Sequence, residues 1–341
     1  MCGAAGVAGL AMRIYLAGER TATATATAIE RQIGDAALIW TTHVKRRLFS
    51  FYYHAFSEGG KYEKGTRGIS AAIEDGFNRG WDLFLDSGAY TGWSQKKDIS
   101  LSEYARYVKW SKRVWTVCSS LDFIGRGEEA AQKSYDYFLQ LKEAGADVAP
   151  VFHVREPDHW LQRYIDEGYD YVLLGGMVAE SGKWLEPRLD GLWHSILTHP
   201  NGKPKVKIHG FGLTNFRLMF RYPMWSVDSS SWLQTGIFGA CMFRTKNNKL
   251  RKVVFSEESP VARKYRGWHY KNLPREAKDI VHEWLEPFKV TPEQLASHYS
   301  YRDVVNAAVF QGLEDLGTDR FILQQPTLFG GLDADELEAA Q

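Results

Sequence analysis

Short apolar runs alternate along the chain with stretches whose apolar residues recur at helical spacing. Strands are predicted for the apolar runs at 13–17, 37–41, 82–88, 113–122, 148–154, 171–176, 205–212 and 224–229. Helices are predicted for the amphipathic stretches at 100–112, 128–145 and 156–168. Continuous apolar strands that alternate with helices are typical of a parallel sheet that is covered on both faces. The eight units predict an α/β fold, a (β/α)8 TIM barrel, whereas six would leave an open doubly wound sheet.

The same pattern divides the chain into a barrel and shorter flanking segments. We expect a disordered or non-native segment at 1–11, a TIM-barrel catalytic domain at 12–254, a C-terminal helical extension at 255–322 and a flexible tail at 323–341. The chain has 341 residues, of which 44% are hydrophobic. That share is enough to build the core of one large domain.

Composition excludes several functional classes. The net charge is +1, so any nucleic-acid-binding surface must be a local patch. The cysteines, Cys2, Cys118 and Cys241, are scattered, which excludes a disulfide framework and fits a reducing cytoplasm. No apolar run in the sequence approaches the roughly 20 residues that a membrane span needs. We therefore expect a cytoplasmic protein with no membrane partner.

Polar residues and glycines end most of the predicted strands. They are Asp86, Ser87, Asp122, His153, Gly175, Gly176, His209 and Asp228. The carboxyl ends of the strands of a TIM barrel form one rim, where the chemistry takes place. Singly, each residue has a structural explanation, because an aspartate can cap a helix, a histidine can pack in the core and a glycine pair can make a turn. Together, three carboxylates on one rim would repel one another unless their ionisation is tuned, which indicates a functional site.

Two carboxylates that face each other across an anomeric carbon can catalyse a double displacement. One attacks the carbon and forms a glycosyl-enzyme ester, while the other donates a proton to the leaving group and then removes one from the acceptor. The pattern therefore predicts sugar transfer with retention of configuration.

Six short motifs at successive strand ends resemble the tRNA-guanine transglycosylase superfamily. They are LDSGAY (85–90), LDFIG (121–125), VFHV (151–154), LLGGMV (173–178), IHGFG (208–212) and SVDSSSW (226–232). The similarity runs from about Met12 to Phe243 and is greatest to the phage-encoded DNA-guanine transglycosylase branch. The resemblance implies a queuosine-related pentosyltransferase that exchanges guanine in DNA for a 7-deazaguanine base, such as 7-cyano-7-deazaguanine. Its expected partners are DNA and the free 7-deazaguanine base.

The resemblance also implies a role for each residue of the rim. Asp228 would be the nucleophile that attacks C1′ and expels guanine, and Asp86 would be the general acid/base. The base would be bound by Ser87, Asp122, His153, Gly175, Gly176 and His209. The target guanine would be flipped out or single-stranded, because a base inside a duplex cannot reach a buried carboxylate.

One feature of the tRNA enzymes is missing. They carry a zinc site after the nucleophile strand, built with CxCxxC spacing and a later histidine, whereas this chain has only Cys241 in that region. One cysteine cannot build such a site. We therefore expect no metal and no other cofactor, and the difference favours the DNA branch.

Two basic clusters are predicted to bind nucleic-acid phosphates. One follows the eighth strand and contains Arg244, Lys246, Lys249, Arg251 and Lys252, and the other contains Lys45, Arg46 and Arg47 beside aromatic residues suited to base stacking. A solvated hairpin and an amphipathic helix packed on the barrel are the structural alternatives. The tail segment QPTLF, Gln325 to Phe329, resembles peptides that dock on replication sliding clamps, so a sliding clamp is a further candidate partner. A loose terminal segment is the alternative.

Three other functions are compatible with these motifs. They are a tRNA-guanine transglycosylase, a retaining TIM-barrel glycosidase that hydrolyses its substrate, and a non-catalytic subunit that binds nucleic acid. A non-catalytic paralogue usually loses its nucleophile, whereas this chain contains both Asp86 and Asp228.

Overall fold

A sheet of eight parallel strands forms the centre of the molecule. The computed structural model describes residues 12–18, 25–34, 36–56, 69–213, 215–244, 250–259 and 266–316. The strands of the sheet are β1 (Arg13–Ala17), β2 (Arg46–Ser50), β3 (Asp82–Asp86), β4 (Val117–Cys118), β5 (Val151–His153), β6 (Tyr171–Gly175), β7 (Lys207–Gly210) and β8 (Ser226–Ser229).

The sheet curls until its first and last strands lie side by side. The order of pairing is β4-β3-β2-β1-β8-β7-β6-β5, so β1 pairs in parallel with both β2 and β8. The two ends of this sheet meet where Ser119 bridges Ala149. There the N–H of Ser120 donates to the carbonyl of Ala149, and the N–H of Ala149 donates to the carbonyl of Cys118, each at 2.8 Å. The predicted TIM-barrel-like α/β fold is thus confirmed.

Helices connect the strands and cover the outside of the sheet. They are α1 (Ala26–Ile33), α2 (Ala36–His43), α3 (Phe51–Phe56), α4 (Ala71–Asn78), α5 (Ala89–Ser94), α6 (Leu101–Trp110), α7 (Gly127–Glu143), α8 (Asp158–Asp166), α9 (Gly182–Leu192), α10 (Phe216–Arg221) and α11 (Ser231–Ile237). The helices predicted at 100–112, 128–145 and 156–168 are present as α6, α7 and α8. No helix in the described ranges has the length and apolar character of a membrane-spanning segment.

An antiparallel hairpin and three further helices follow the barrel. The hairpin strands are β9 (Ala240–Arg244) and β10 (Leu250–Val254), and the helices are α12 (Arg275–Leu285), α13 (Pro292–Ser297) and α14 (Tyr299–Gln311). The segments predicted at 1–11 and 323–341 lie outside the described residues, and so does the clamp-like peptide at 325–329.

The alternation of side chains along the strands separates the barrel interior from the layer between sheet and helices. Tyr15, Phe84 and Leu173 form part of the interior cluster. Their strand neighbours, such as Leu83 and Leu85, pack instead in the larger core beneath the helices. This period of two decides which strand-end residues face the inside of the barrel.

The sequence-based assignment of the second strand was wrong. Residues 37–41 belong to helix α2, and β2 lies at 46–50, inside the segment whose basic residues were assigned to phosphate binding. Ala36, Ile39 and Trp40 are buried, a spacing of three and four that marks a helix face, while Leu38 is 63% exposed. The strand count remains eight because a helix was counted as a strand and a strand was missed.

The end of α14 covers the amino-terminal end of the barrel. Oε1 of Gln311 accepts hydrogen bonds from the N–H groups of Lys45 at 2.9 Å and Arg46 at 3.2 Å. Glu314 accepts a hydrogen bond from the N–H of Ile14 at 2.7 Å and forms an ion pair with Arg46. The starts of β1 and β2 are therefore bound to the C-terminal segment, which leaves the carboxyl ends of the strands as the open face.

The contact between α11 and α14 gives a test of the packing. A Cβ atom added to Gly236 would lie 2.0 Å from Oδ1 of Asp303, whose side chain is fully buried. Since overpacking costs about 1–3 kcal/mol, we expect Gly236→Ala to lower the free energy of unfolding by that amount in urea titrations. Gly191→Ala in α9 is the control, because its Cβ would meet nothing within 4 Å and alanine favours a helix by up to about 1 kcal/mol. Equal stability of Gly236→Ala and the wild type would contradict this packing.

Candidate active site

Four polar side chains face the barrel interior at the carboxyl ends of the strands. Asp86 follows the interior residue Phe84 by two positions on β3, and Asp228 follows Ser226 by two positions on β8. The same alternation turns His153 of β5 and His209 of β7 inward. The barrel thus brings together residues that lie up to 142 positions apart in the sequence.

The two oxygens of Asp228 have different environments. Oδ1 accepts hydrogen bonds from the N–H of Gly212 at 2.9 Å and from Nε2 of His209 at 3.2 Å. Oδ2 has no hydrogen-bond partner among the described residues, and it is not sealed from solvent. The carboxylate, which is only 5% exposed, is therefore held by one oxygen and presents the other to the cleft.

A buried chain of hydrogen bonds supports His209 from below. Nδ1 of His209 lies 2.6 Å from Oγ of Ser226, which lies 2.5 Å from the hydroxyl of Tyr171. When His209 carries one ring proton, that proton faces Asp228 on Nε2, so Nδ1 accepts the hydrogen bond of Ser226. Ser226 can in turn accept from Tyr171, whose pKa is raised by burial, so the hydroxyl keeps its proton. These hydrogen bonds fix the ring of His209, which donates to Asp228.

This placement separates His209 from the predicted base-binding set. Its side chain is fully buried, and both ring nitrogens are already engaged within the protein. His209 therefore orients Asp228 and does not line the surface that a base would contact.

Asp86 lies at the end of β3 beside a glycine that no other residue can replace without strain. Oδ2 of Asp86 accepts a hydrogen bond from the N–H of Gly88 at 3.0 Å. Gly88 has φ +80°, and a Cβ atom there would lie 2.4 Å from Cβ of Tyr52. Burial, together with the nearby carboxylates of Asp122 and Asp228, raises the pKa of Asp86 to about 7. Asp86 is thus close to half protonated at neutral pH.

Asp122 forms the centre of the opposite wall. Its Oδ1 accepts a hydrogen bond from the hydroxyl of Ser87 at 3.3 Å, and its Oδ2 lies 2.7 Å from Nε2 of His153. A Cβ atom on Gly175 would lie 2.6 Å from Cδ2 of His153, so glycine is required for the ring to lie against β6. Gly176 is exposed next to it. The structure therefore brings together Ser87, Asp122, His153 and the glycine pair, which the sequence analysis assigned to base binding.

A buried glutamate that the sequence analysis missed lies behind His153. Oε2 of Glu156 accepts a hydrogen bond from the N–H of His153 at 3.0 Å, and Oε1 lies 4.0 Å from Nδ1. Burial raises the pKa of Glu156 to about 7, although His153 opposes this effect. Burial alone would lower the pKa of His153, but Asp122 and Glu156 outweigh it and raise that pKa. His153 is thus stabilised as a cation between two acids.

None of the described residues forms a metal site. Groups of three or more histidine, cysteine or acidic residues with suitable geometry are absent from the described ranges. Cys118 and Cys241 are buried and separate, and burial raises the pKa of both thiols. Neither thiol has the environment of a reactive or metal-binding thiolate.

The predicted basic cluster at 45–47 does not form a surface at the rim. Arg46 begins β2 at the amino-terminal end of the barrel and pairs with Asp82 at 2.9 Å and with Glu314. Lys45, which is exposed, directly precedes it. Arg47 is fully buried between the sheet and the helices, where its guanidinium lies 5.1 Å from the ring of Trp40. Arg46 and Arg47 thus support the fold, and the buried guanidinium of Arg47 also donates to the carbonyl of Gly18 at 3.0 Å.

The described part of the basic cluster at 244–252 lies at the amino-terminal end of the barrel. Nη1 of Arg244 donates to the carbonyl of Gly312 at 3.2 Å, next to the glutamine that binds the start of β2. Arg251 and Lys252 pair with Phe243 and Met242 of β9. Lys246 and Lys249 lie outside the described residues. The hairpin is thus packed at the amino-terminal end of the barrel, far from the rim.

Sequence reasoning missed the residues that support the site from within. Ser226 precedes Asp228 by two positions, so strand alternation alone places both side chains in the interior. Glu156 follows His153 by three positions, but a single glutamate in a loop has no distinguishing signal. Tyr171 begins β6, and only the folded barrel brings its hydroxyl to Ser226.

No protein-family model matches the chain, and no curated protein matches it significantly.

The hydrogen-bond chain predicts the tautomer of His209. In ¹⁵N NMR spectra of histidine-labelled protein, we expect the proton of the singly protonated ring on Nε2, because Asp228 accepts there. Tyr171→Phe should shift the Nδ1 resonance, because it removes a donor to Ser226. Tyr222→Phe is the control, since its hydroxyl contacts Asp190 and Glu186 elsewhere. A ring proton on Nδ1 would contradict this arrangement.

The raised pKa of Asp86 predicts a pH-dependent stability. Its folded-state pKa of about 7 exceeds the ordinary value of 3.8, so unfolding releases a proton between these values and the wild type loses stability as pH rises through this range. The side chain in Asp86→Asn cannot ionise, so the variant does not lose stability in this way as pH rises. The variant should therefore gain on the order of 1 kcal/mol relative to the wild type between about pH 5 and pH 8 in urea unfolding. The exposed Asp98→Asn is the control, and a gain at Asp86 that does not grow with pH would refute the shift.

Proposed function

We propose that the chain is a DNA-guanine transglycosylase, which exchanges guanine in DNA for a 7-deazaguanine base through a covalent intermediate on Asp228. The observation that carries the proposal is the pair of interior carboxylates at the ends of β3 and β8. They are close enough that the charge of Asp228 contributes to the raised pKa of Asp86, and their environments give them different chemical capacities.

Asp228 has the features of a nucleophile. Its Oδ1 is fixed by His209 and Gly212, so the carboxylate does not need to reorient during the reaction. Its free Oδ2 attacks C1′ of the target nucleoside. The bond between C1′ and N9 breaks, and its electron pair leaves with guanine.

Asp86 has the features of the partner acid and base. With a pKa of about 7, it has a proton to give near neutrality and accepts one almost as readily. It protonates the departing guanine in the first step. In the second step its carboxylate takes the N9 proton of the incoming base, N9 attacks C1′, and the ester bond to Asp228 breaks. Two inversions give overall retention.

The wall around Asp122 supplies recognition of a purine-like base. A carboxylate oxygen accepts more than one hydrogen bond, so Asp122 can accept the N–H edge of guanine while it keeps Ser87 and His153. His153, whose pKa is raised by Asp122 and Glu156, holds Asp122 in place, and the exposed backbone at Gly176 lies beside it. Large aromatic side chains near the rim are available for stacking on nucleic acid. They are Tyr53 (58% exposed), Tyr90 (53%) and Trp93 (59%).

The choice of DNA over tRNA rests on the sequence after β8. The superfamily's tRNA enzymes have a cysteine-rich zinc site there, and the corresponding part of this chain contains only Cys241. DNA and tRNA are therefore the two arms of the decisive experiment.

The test is an exchange assay with a labelled 7-deazaguanine base, offered together with single-stranded DNA or with tRNA. We expect label in DNA and not in tRNA, with release of one guanine per base inserted. Asp228→Ala should reduce exchange to background, because it removes the carboxylate oxygen that attacks C1′. Asp98→Ala is the matched control and should exchange at the wild-type rate.

Other outcomes would contradict the proposal in different ways. Label in tRNA alone would assign the tRNA activity, and release of guanine without insertion of label would indicate a hydrolase. Full exchange by Asp228→Ala would remove Asp228 from the role of nucleophile.

A further inference from the structure

A second concave surface lies on the same face as the site, beside the loops that follow β4, β5 and β6. It encloses about 410 Å³, and its lining includes Arg126, Arg155, Arg188, Trp184 and Glu156. We call it the arginine cleft. Its three guanidinium groups come from three separate loops or helices, so only the barrel brings them together.

Each of the three arginines retains unused hydrogen-bond donors. Arg188 uses Nε and Nη2 to bind the carbonyls of Val154 and Glu156, at 2.7 and 3.1 Å, while Nη1 has no acceptor among the described residues. Arg155 binds Glu180 through Nε and Nη2, and its Nη1 has no acceptor in the described part of the chain. The exposed Arg126 has no acceptor within the described ranges. Guanidinium groups with spare donors are suited to phosphate oxygens.

The acidic residues of the cleft do not cancel its positive charge. Asp158 is paired with Arg188 at 2.5 Å, and Glu180 is paired with Arg155. Glu156 is buried and only partly ionised at neutral pH, because its pKa is about 7. Glu180 also interacts with the charge of Arg126, but three arginines face two paired acids and one partly protonated acid, so the cleft keeps a net positive charge.

The backbone and Trp184 add to this electrostatic environment. No side chain caps the amino end of α8, whose N–H groups favour an anion. The first residue of this helix, Asp158, lines the cleft and is paired with Arg188. The guanidinium of Arg155 lies 4.0 Å from the ring centroid of Trp184, which holds it in place. The cleft is thus prepared for a compact anion.

We propose that the arginine cleft binds a phosphodiester group of the strand whose target nucleotide occupies the active site. This inference rests on the proposed function, because it takes the substrate to be a nucleic acid. Glu156 links the arginine cleft to the active site. It lines the cleft and accepts a hydrogen bond from the N–H of His153, whose ring contacts Asp122. The bound phosphate belongs to a nucleotide that flanks the target and sets the position of the strand.

The location distinguishes the cleft from the basic clusters that the sequence suggested. Arg46 and Arg244 lie at the amino-terminal end of the barrel and Arg47 is buried between the sheet and the helices, whereas the cleft lies on the open face with Asp86 and Asp228. A nucleic-acid strand that enters the active site can reach the arginine cleft without passing around the barrel.

The test measures binding of a fluorescent oligothymidylate, which contains no guanine and therefore reports phosphate contacts without base exchange. Arg126→Ala should weaken binding about 3- to 10-fold at low salt, and it should lower the slope of log K against log salt by about 0.7, the value for one contact to a single strand. Arg126→Glu should weaken it further. Arg113→Ala is the matched control, because Arg113 is exposed at the opposite end of the barrel and carries the same charge. It should bind as the wild type does.

The same titration with inorganic phosphate as competitor identifies the source of the anion. We expect millimolar phosphate to displace the oligonucleotide no better than chloride at equal ionic strength, because the strand makes several contacts. Displacement by inorganic phosphate that depends on Arg126 would assign the cleft to free phosphate and overturn the proposal. An unchanged affinity for Arg126→Ala, or an equal loss for Arg113→Ala, would also overturn it.

The two proposals fail separately. If binding depends on Arg126 but no base is exchanged, the phosphate site stands and the transglycosylase assignment falls. If exchange occurs and Arg126→Ala binds as the wild type does, the transglycosylase assignment stands and the arginine cleft has another role.

Discussion

The crowding of carboxylates at one end of the barrel is the constraint on which the rest of the site depends. Parallel strands direct Asp86, Asp122 and Asp228 toward one cleft, where three full negative charges would repel one another strongly. Each acid meets this constraint differently. The pKa of Asp86 is raised to about 7, Asp122 contacts the ring of His153 and raises its pKa, and Asp228 receives the N–H donors of Gly212 and His209. The hydrogen bonds around the site follow from this distribution of charge.

The same distribution of charge suits Asp86 and Asp228 to different roles in the proposed reaction. A carboxyl group that titrates near neutrality suits proton transfer in both directions, and a carboxylate with one fixed and one free oxygen suits attack on carbon. The buried chain from Tyr171 through Ser226 to His209 has no direct access to a ligand. Its contribution is to hold the ring that positions Asp228. The arginine cleft extends this charge pattern outward, because its cations lie beside the acids on one open face.

Much of the site could be predicted from the sequence because it depends on two simple regularities. Strand-end polar residues meet at one rim, and residues two positions apart on a strand share a face. Both hold for Asp86 and Asp228. The prediction failed where a short apolar run does not distinguish helix from strand, so residues 37–41 were taken for β2 and the true strand was read as a binding segment. Arg46 and Arg47 were consequently assigned to phosphate although one is paired and the other buried. The arginines of the cleft lie at positions 126, 155 and 188, too far apart in sequence to appear as a cluster.

The central claim is that Asp228 forms the covalent bond to the sugar while Asp86 transfers the proton. It is tested most directly by trapping the intermediate on a single-stranded oligodeoxynucleotide that contains one guanine. Acid quenching, nuclease treatment and tryptic digestion would place the two aspartates in separate peptides, at 222–244 and 80–96, for mass spectrometry. The account predicts a deoxyribose ester on the peptide 222–244, located at Asp228. An ester on the peptide 80–96, or release of guanine with no protein adduct, would contradict it.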